Sequence, residues 1–356
     1  MTPDAWRQKN PEFPWLDSED LGFLQRILAR LDVIDSDTPV TAAEKAGEGN
    51  MNLTLRVTTP SDSVIVKQSR PWVEKYPQIE APWDRAISEK RFYQAVSRIK
   101  GVEERMPELL AFDDDARILV LEDLGPAADF TDVYQGIPLG DDELRDLGTF
   151  AAALHTVEHR ATDDHLANRA MRKLNHQHIF VIPLQPGGVA GMGLDLDDLE
   201  PGLADAASLT QTDGRFVEIA LETGDRYLSD GTRLVHGDYF PGSFLRTETR
   251  GVFVIDPEFG YLGDPSFDLG VFIAHLALAR QERALAETFL DAYLASPDAP
   301  EVDPILLARY AGCEVVRRLI GVAQLPIEPT HYGFRADLLQ AARATAISGR
   351  YGLLWS

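Results

Sequence analysis

Leu234-Val-His-Gly-Asp-Tyr-Phe-Pro-Gly-Ser243, followed closely by Val252-Phe-Val-Ile-Asp-Pro-Glu-Phe259, places acidic clusters at the ends of two short apolar runs. Apolar runs of this length read as strands, and a pair of strands joined by a short loop would hold both clusters close together. Phosphoryl transfer needs such a placement: one carboxylate orients the attacking hydroxyl while others hold Mg²⁺ against the nucleotide phosphates. Asp238 is the candidate for the first role, and Asp256 with Glu258 for the second. Asp is common in turns, so either cluster alone would have a purely structural explanation. The two together, separated by the length of one hairpin, point to chemistry.

Working outward towards the N-terminus, Gly47-Glu-Gly-Asn-Met-Asn52 precedes a strand pattern. Gly47 and Gly49 would permit close approach of backbone N–H groups to phosphate oxygens, with Asn50 and Asn52 shaping the turn. The chain has only seven lysines, and Lys67 follows three β-branched residues in Ser63-Val-Ile-Val-Lys-Gln68. An ammonium there needs a partner, and Glu89 on the next helix can supply one. Such a pair would hold the lysine against nucleotide phosphates. There is no G-x-x-x-x-G-K-[ST] motif, so a P-loop is excluded. His155 and His159 lie one helical turn apart without a third ligand nearby, which reads as a solvated or capping face rather than a zinc site.

At 356 residues the chain can form two lobes, each with its own core. A net charge of −23 repels polyanions, so nucleic acid is not an expected partner. No apolar run approaches a membrane span and no leader-like segment opens the chain, so a cytoplasmic location without membrane association is expected. The single cysteine, Cys313, reads as a small buried hydrophobe.

Periodicity predicts a helix over 18–33, strands at 53–57 and 63–68 around a turn at Thr59-Pro-Ser-Asp62, and a helix over 84–99. Two more strands follow at 109–112 and 118–121. After Glu122-Asp-Leu-Gly-Pro126 the patterns become mainly helical, over 141–159, 215–227, 267–280, 284–294, 304–325 and 334–347. Pro186-Gly-Gly188 and 192–202 read as loops. The expected architecture is α+β: residues 1–122 forming a small antiparallel-sheet lobe, and 123–356 a larger helical lobe carrying the acidic clusters.

These features in this order resemble the aminoglycoside phosphotransferase and methylthioribose kinase family of the protein-kinase-like fold. The resemblance to methylthioribose kinases rests on Gly47-Glu-Gly-Asn-Met-Asn-Leu53, Val66-Lys-Gln-Ser-Arg-Pro-Trp-Val73, Leu174-Asn-His-Gln-His-Ile-Phe180, His236-Gly-Asp238 through Ser243, and Asp256-Pro-Glu-Phe259. It spans roughly residues 44–325 and is specific as an ensemble.

The resemblance implies a two-lobed kinase with ATP and Mg²⁺ as cofactors, the adenine being held by backbone groups near Glu122 and Leu124. It implies that Asp238 orients the acceptor hydroxyl and that Asp256, with Glu258, holds Mg²⁺. Ser243 stands where many members of the wider fold carry an Asn metal ligand. Arg317-Arg318 resembles an arginine pair that methylthioribose kinases direct at the sugar and the transferring phosphoryl group, although consecutive helix positions diverge by about 100°, so one of the two can face solvent. The implied acceptor is a small hydroxylated metabolite, 5-methylthioribose or a related pentose, and a homodimer is compatible with the pattern. Tyr239-Phe-Pro241 departs from the family by placing aromatic bulk after Asp238, so the acceptor stays open. An aminoglycoside kinase, favoured by the acidity, and a non-catalytic binding module are the alternatives.

Overall fold

The computed structural model describes residues 1–47, 51–160, 164–187, 189, 193–328 and 331–356. The chain forms two compact units, Met1–Arg98 with Met106–Pro126, and Ile99–Arg105 with Ala127–Ser356.

The first unit contains α1 (Pro3–Lys9), α2 (Leu21–Arg30), β1 (Ala42–Lys45), β2 (Leu53–Thr58), β3 (Ser63–Gln68), the hairpin β4 (Trp72–Val73) and β5 (Tyr76–Glu80), α3 (Arg85–Val96), β6 (Leu109–Asp113) and β7 (Ile118–Glu122). A five-stranded antiparallel sheet has the order β1-β2-β3-β7-β6. The turn between β2 and β3 closes through Thr59 N–H donating to the Asp62 carbonyl at 2.8 Å. Strand alternation sorts the side chains. Leu55, Val57, Val64, Val66, Ile118 and Val120 face one side and form a core with Leu24, Ile27 and Leu28 of α2. Lys67 is out of phase with Val64 and Val66, so it projects from the opposite face of a central strand, paired with Thr54 and Leu119 on its neighbours.

The second unit contains β8 (Ala127–Asp129), α4 (Asp141–His155), α5 (Arg169–His176), α6 (Leu196–Leu199), α7 (Leu203–Thr212), α8 (Gly214–Leu228), β9 (Arg233–Val235), β10 (Phe244–Thr247), β11 (Gly251–Val254), β12 (Tyr261–Gly263), α9 (Ser266–Leu278), α10 (Arg283–Leu294), α11 (Pro304–Ile320) and α12 (Phe334–Ser348). Every residue of α9 is buried, as expected for a helix apolar on all sides, and α9 packs against α11, which in turn packs against α12. Cys313 of α11 is buried and its thiol is pushed up to about 12 by desolvation, as befits a packing residue. Among the described residues no helix is long and apolar enough to cross a membrane.

Four sequence expectations are corrected. The two apolar runs that end in the acidic clusters do not pair with each other: β9 pairs with β12, while β11 pairs with β10, the hairpin between the clusters. The stretch 192–202 is not all loop, because Asp195 accepts the backbone N–H of Asp197 and starts α6. His155 is fully buried rather than solvated. The helix expected to reach 325 ends at Ile320, where Gly321 leaves the helical conformation and the Gln324 amide donates to the Leu319 and Gly321 carbonyls.

Candidate functional site

In the first unit, Lys67 Nζ lies 2.7 Å from Glu89 Oε2 of α3, with both side chains almost wholly covered. Removing one partner would strand the other's charge, at a cost of about 3–5 kcal/mol. Asn52 is buried, and its carbonyl accepts from Arg85 Nε at 2.8 Å. Arg85 also donates to the carbonyls of Met51 at 2.7 Å and Arg70 at 2.6 Å, so the Asn52 carboxamide helps brace the start of β2. Gly47 adopts φ +69°, and a Cβ there would meet nothing within 4 Å. Gly49 and Asn50 lie outside the described residues. Glu122 ends β7, its N–H donating to the Glu108 carbonyl at 2.9 Å, and half-buried Leu124 follows in the irregular stretch beyond. Between them, Asp123 accepts from Arg56 at 2.7 Å and Ser63 at 2.7 Å. Burial would raise this carboxyl, but those donors hold it below its ordinary value.

In the second unit, the backbone of His236-Gly237-Asp238 is anchored group by group. Asp268 of α9 accepts the N–H of His236 at 2.6 Å and of Gly237 at 2.9 Å. Asn175 of α5 donates to the Gly237 carbonyl at 3.2 Å, and Ser243 Oγ donates to the Asp238 carbonyl at 2.8 Å. Gly237 has φ +81°, and a Cβ would lie 2.2 Å from the Phe259 carbonyl oxygen, so only glycine fits. His236 Nε2 donates to the Ile255 carbonyl at 3.0 Å and Ile255 N–H donates to the Ser243 carbonyl at 2.9 Å. These bonds tie the Asp238 loop to the segment carrying Asp256. Behind Asp268, His155 Nε2 lies 3.1 Å from its carboxylate, and His155 Nδ1 lies 3.1 Å from the Tyr293 hydroxyl.

Asp256 occupies the left-handed region at φ +65°, which Asp tolerates better than most residues. Its carboxylate and that of Glu258 each present an oxygen within 4.8 Å of the other's. Asn168 Nδ2 braces this turn by donating to the carbonyls of Glu258 and Gly260, both at 2.9 Å. Ser243 is buried, with its hydroxyl proton committed to the Asp238 carbonyl.

Asp238 is 21% exposed as a side chain, yet its Oδ1 is covered and has no hydrogen-bond partner. Burial raises its carboxyl above the ordinary value, against the opposing pull of Arg318 and Arg317. Both arginines are buried, so neither faces solvent. Arg318 Nε donates to Glu314 Oε1 at 2.6 Å, and Arg317 Nη1 reaches Glu314 Oε2 at 3.1 Å. Arg318 Nη2 lies 3.7 Å from Asp238 Oδ1. Of the aromatic pair after Asp238, Tyr239 is core, its hydroxyl donating to the Leu147 carbonyl at 2.8 Å. Phe240 lies under the Arg318 guanidinium at 4.9 Å.

Sequence reasoning missed Asp268, Glu314, His275, Asn175 and His178. Asp268 and Glu314 had a visible signal, since each is a carboxylate inside an otherwise apolar helix and can be buried there only with partners. Burial would raise the Glu314 carboxyl, but Arg317 and Arg318 hold it well below its ordinary value. His178 sits on a π-helical turn, Gln177–Val181, and is lowered to about 4 by burial, then by Arg317 and Arg318.

The sequence is 26% identical over 324 residues to a methylthioribose kinase of Bacillus thuringiensis (strain Al Hakam), a match covering 78% of each protein. Among solved structures, choline kinase LicA from Streptococcus pneumoniae aligns with a TM-score of 0.51 at 17% identity, covering 92% of this chain and 98% of that one. An ethanolamine kinase from Plasmodium vivax aligns with a TM-score of 0.55 at 10% identity, covering 99% and 91%. At such identities these structures speak to the fold alone, an α+β protein-kinase-like fold with an antiparallel-sheet N-terminal part and a helical C-terminal part. The family model described as the phosphotransferase enzyme family matches residues 42–305. That match runs over well more than half of the chain, which is therefore an enzyme and belongs to the phosphotransferase enzyme family.

Proposed function

We propose that the enzyme transfers a phosphoryl group from ATP to a hydroxyl of a small sugar-like metabolite, 5-methylthioribose or a related pentose, in a Mg²⁺-dependent reaction. The observation that carries this reading is Asp238, whose covered Oδ1 has no hydrogen-bond partner and lies beside the guanidinium of Arg318. A carboxylate so placed orients an incoming hydroxyl and accepts its proton. Arg318 and Arg317 supply planar donors for the charge on the transferring group.

Lys67, fixed by Glu89, is suited to the nucleotide phosphates, as is the Gly- and Asn-rich sequence that includes Gly47, Gly49, Asn50 and Asn52, and the Glu122–Leu124 stretch is suited to offer backbone groups to the base. Asp256 and Glu258 form an all-oxygen donor set, which suits a hard cation such as Mg²⁺. When bound there, the cation would offset phosphate charge. The bond that Ser243 gives to the Asp238 carbonyl supports a role in holding the loop. The likeness to curated methylthioribose kinases supports the sugar, and the paired arginines weigh against a polycationic acceptor despite the net charge of −23.

The test is phosphate transfer from labelled ATP to 5-methylthioribose, related pentoses and aminoglycosides, with and without Mg²⁺. Turnover of a pentose is expected, and Asp238→Asn should lower it by about 10²–10⁴-fold while ATP still binds. Turnover confined to aminoglycosides would overturn the acceptor assignment, and near-parental rates in Asp238→Asn would remove Asp238 from the chemistry.

A further inference from the structure

A guanidinium beside a carboxylate in a dry site ordinarily closes into a short charge-assisted pair at about 2.7–2.9 Å. Arg318 and Asp238 have not done so, their nearest atoms lying 3.7 Å apart. The reason lies on the far side of Arg318. Glu314, one helical turn earlier on α11, takes Arg318 Nε at 2.6 Å, the shortest contact that guanidinium makes. The Ala323 carbonyl lies 3.5 Å from Arg318 Nη1, and the Phe240 ring fills the guanidinium face.

Glu314 is itself held. Arg317 Nη1 contacts both of its oxygens, at 3.3 and 3.1 Å, and His275 Nε2 reaches Oε1 at 3.1 Å. The Tyr134 hydroxyl lies 2.5 Å from His275 Nδ1. An acceptor-only carboxylate places the imidazole proton on Nε2, so Nδ1 accepts from the tyrosine, and the chain Tyr134–His275–Glu314 runs in one direction. All of these groups are buried, which leaves the carboxylate no alternative water partner.

We infer that Glu314, oriented by His275 and Tyr134, is a positioning residue that holds Arg318 off Asp238 and so keeps Asp238 Oδ1 free of a hydrogen bond that the acceptor hydroxyl would have to displace. The consequence for the reaction rests on the proposed role of Asp238. Without Glu314 the guanidinium is released towards the remaining carboxylate, and the oxygen meant for the hydroxyl becomes occupied.

The experiment is a crystallographic comparison of the parent with Glu314→Gln and with the double variant Glu314→Gln/Arg317→Gln. The double variant removes one buried charge of each sign and so keeps the cluster neutral if the single variant fails to fold. Arg318 is expected to close onto Asp238 Oδ1 at hydrogen-bond distance. With ATP and 5-methylthioribose, kcat of Glu314→Gln should fall roughly 10- to 100-fold while the KM for ATP stays near its parental value, the double variant being read by the Arg318–Asp238 separation alone. An Arg318–Asp238 separation unchanged from the parent, even with lowered thermal stability, would reduce Glu314 to a structural residue and overturn the inference. If the parent itself does not phosphorylate 5-methylthioribose, the acceptor assignment fails, while the separation still decides the role of Glu314.

Discussion

Replacing Asp268 by Asn keeps the side chain's shape but removes one of its two acceptor oxygens. In the parent, Oδ2 receives His236 N–H at 2.6 Å and lies 3.1 Å from His155 Nε2, while Oδ1 receives Gly237 N–H at 2.9 Å. An amide can face these donors in two ways. With its oxygen at the Oδ2 position, Gly237 N–H meets an NH₂ group; with the opposite flip, His236 N–H and His155 do. Either way at least one buried donor is orphaned, at about 1–3 kcal/mol, and the surviving bonds lose their charge assistance, for a total of roughly 2–5 kcal/mol. That is a large part of the 5–15 kcal/mol typical of a folded domain. Urea unfolding followed by circular dichroism should show a lower midpoint at similar slope. The folded fraction should also turn over more slowly, because misplacing the loop that carries Asp238 by even a fraction of an ångström degrades alignment. A variant within about 0.5 kcal/mol of the parent, the usual range for surface changes, would refute the claim that Asp268 anchors this loop.

Gly237→Ala should be destabilising by at least about 1–3 kcal/mol from the left-handed backbone alone, with further loss as Phe259 is displaced, and thermal melting would check it. The stability of the protein should also fall as pH drops from 6.5 towards 4. His275 is lowered to about 4 by burial, so it stays neutral in the fold while the unfolded chain takes up a proton near the ordinary 6.5. Its contribution is therefore fully present above 6.5 and is lost across that window, amounting to about 3 kcal/mol at 1.36 kcal/mol per pH unit, and His178 acts in the same direction. Urea midpoints that stay flat between pH 7 and 5 would contradict this.

Local pattern carried much of the fold. The alternation of β2 and β3, the turn at 59–62 and the apolar stripes of α4, α8, α10 and α12 were legible because each reports which face of one element meets a core. A lysine within an apolar strand and two acidic ends of apolar runs were legible for the complementary reason, since charges there need a purpose. α5 was not legible, because its buried positions include Arg172 and Asn175, whose polar atoms meet mainly groups brought from residues 227–237: the carbonyls of Tyr227, Ser229 and Gly237, the Asp230 carboxylate and the Tyr227 hydroxyl. The same holds for the pairing of β9 with β12, for His155 beneath Asp268, and for Glu314 gathering two arginines and a histidine. Periodicity marks a residue as inward-facing. Which donor meets which acceptor inside depends on contacts between residues far apart in the chain, and those are settled only when the elements pack.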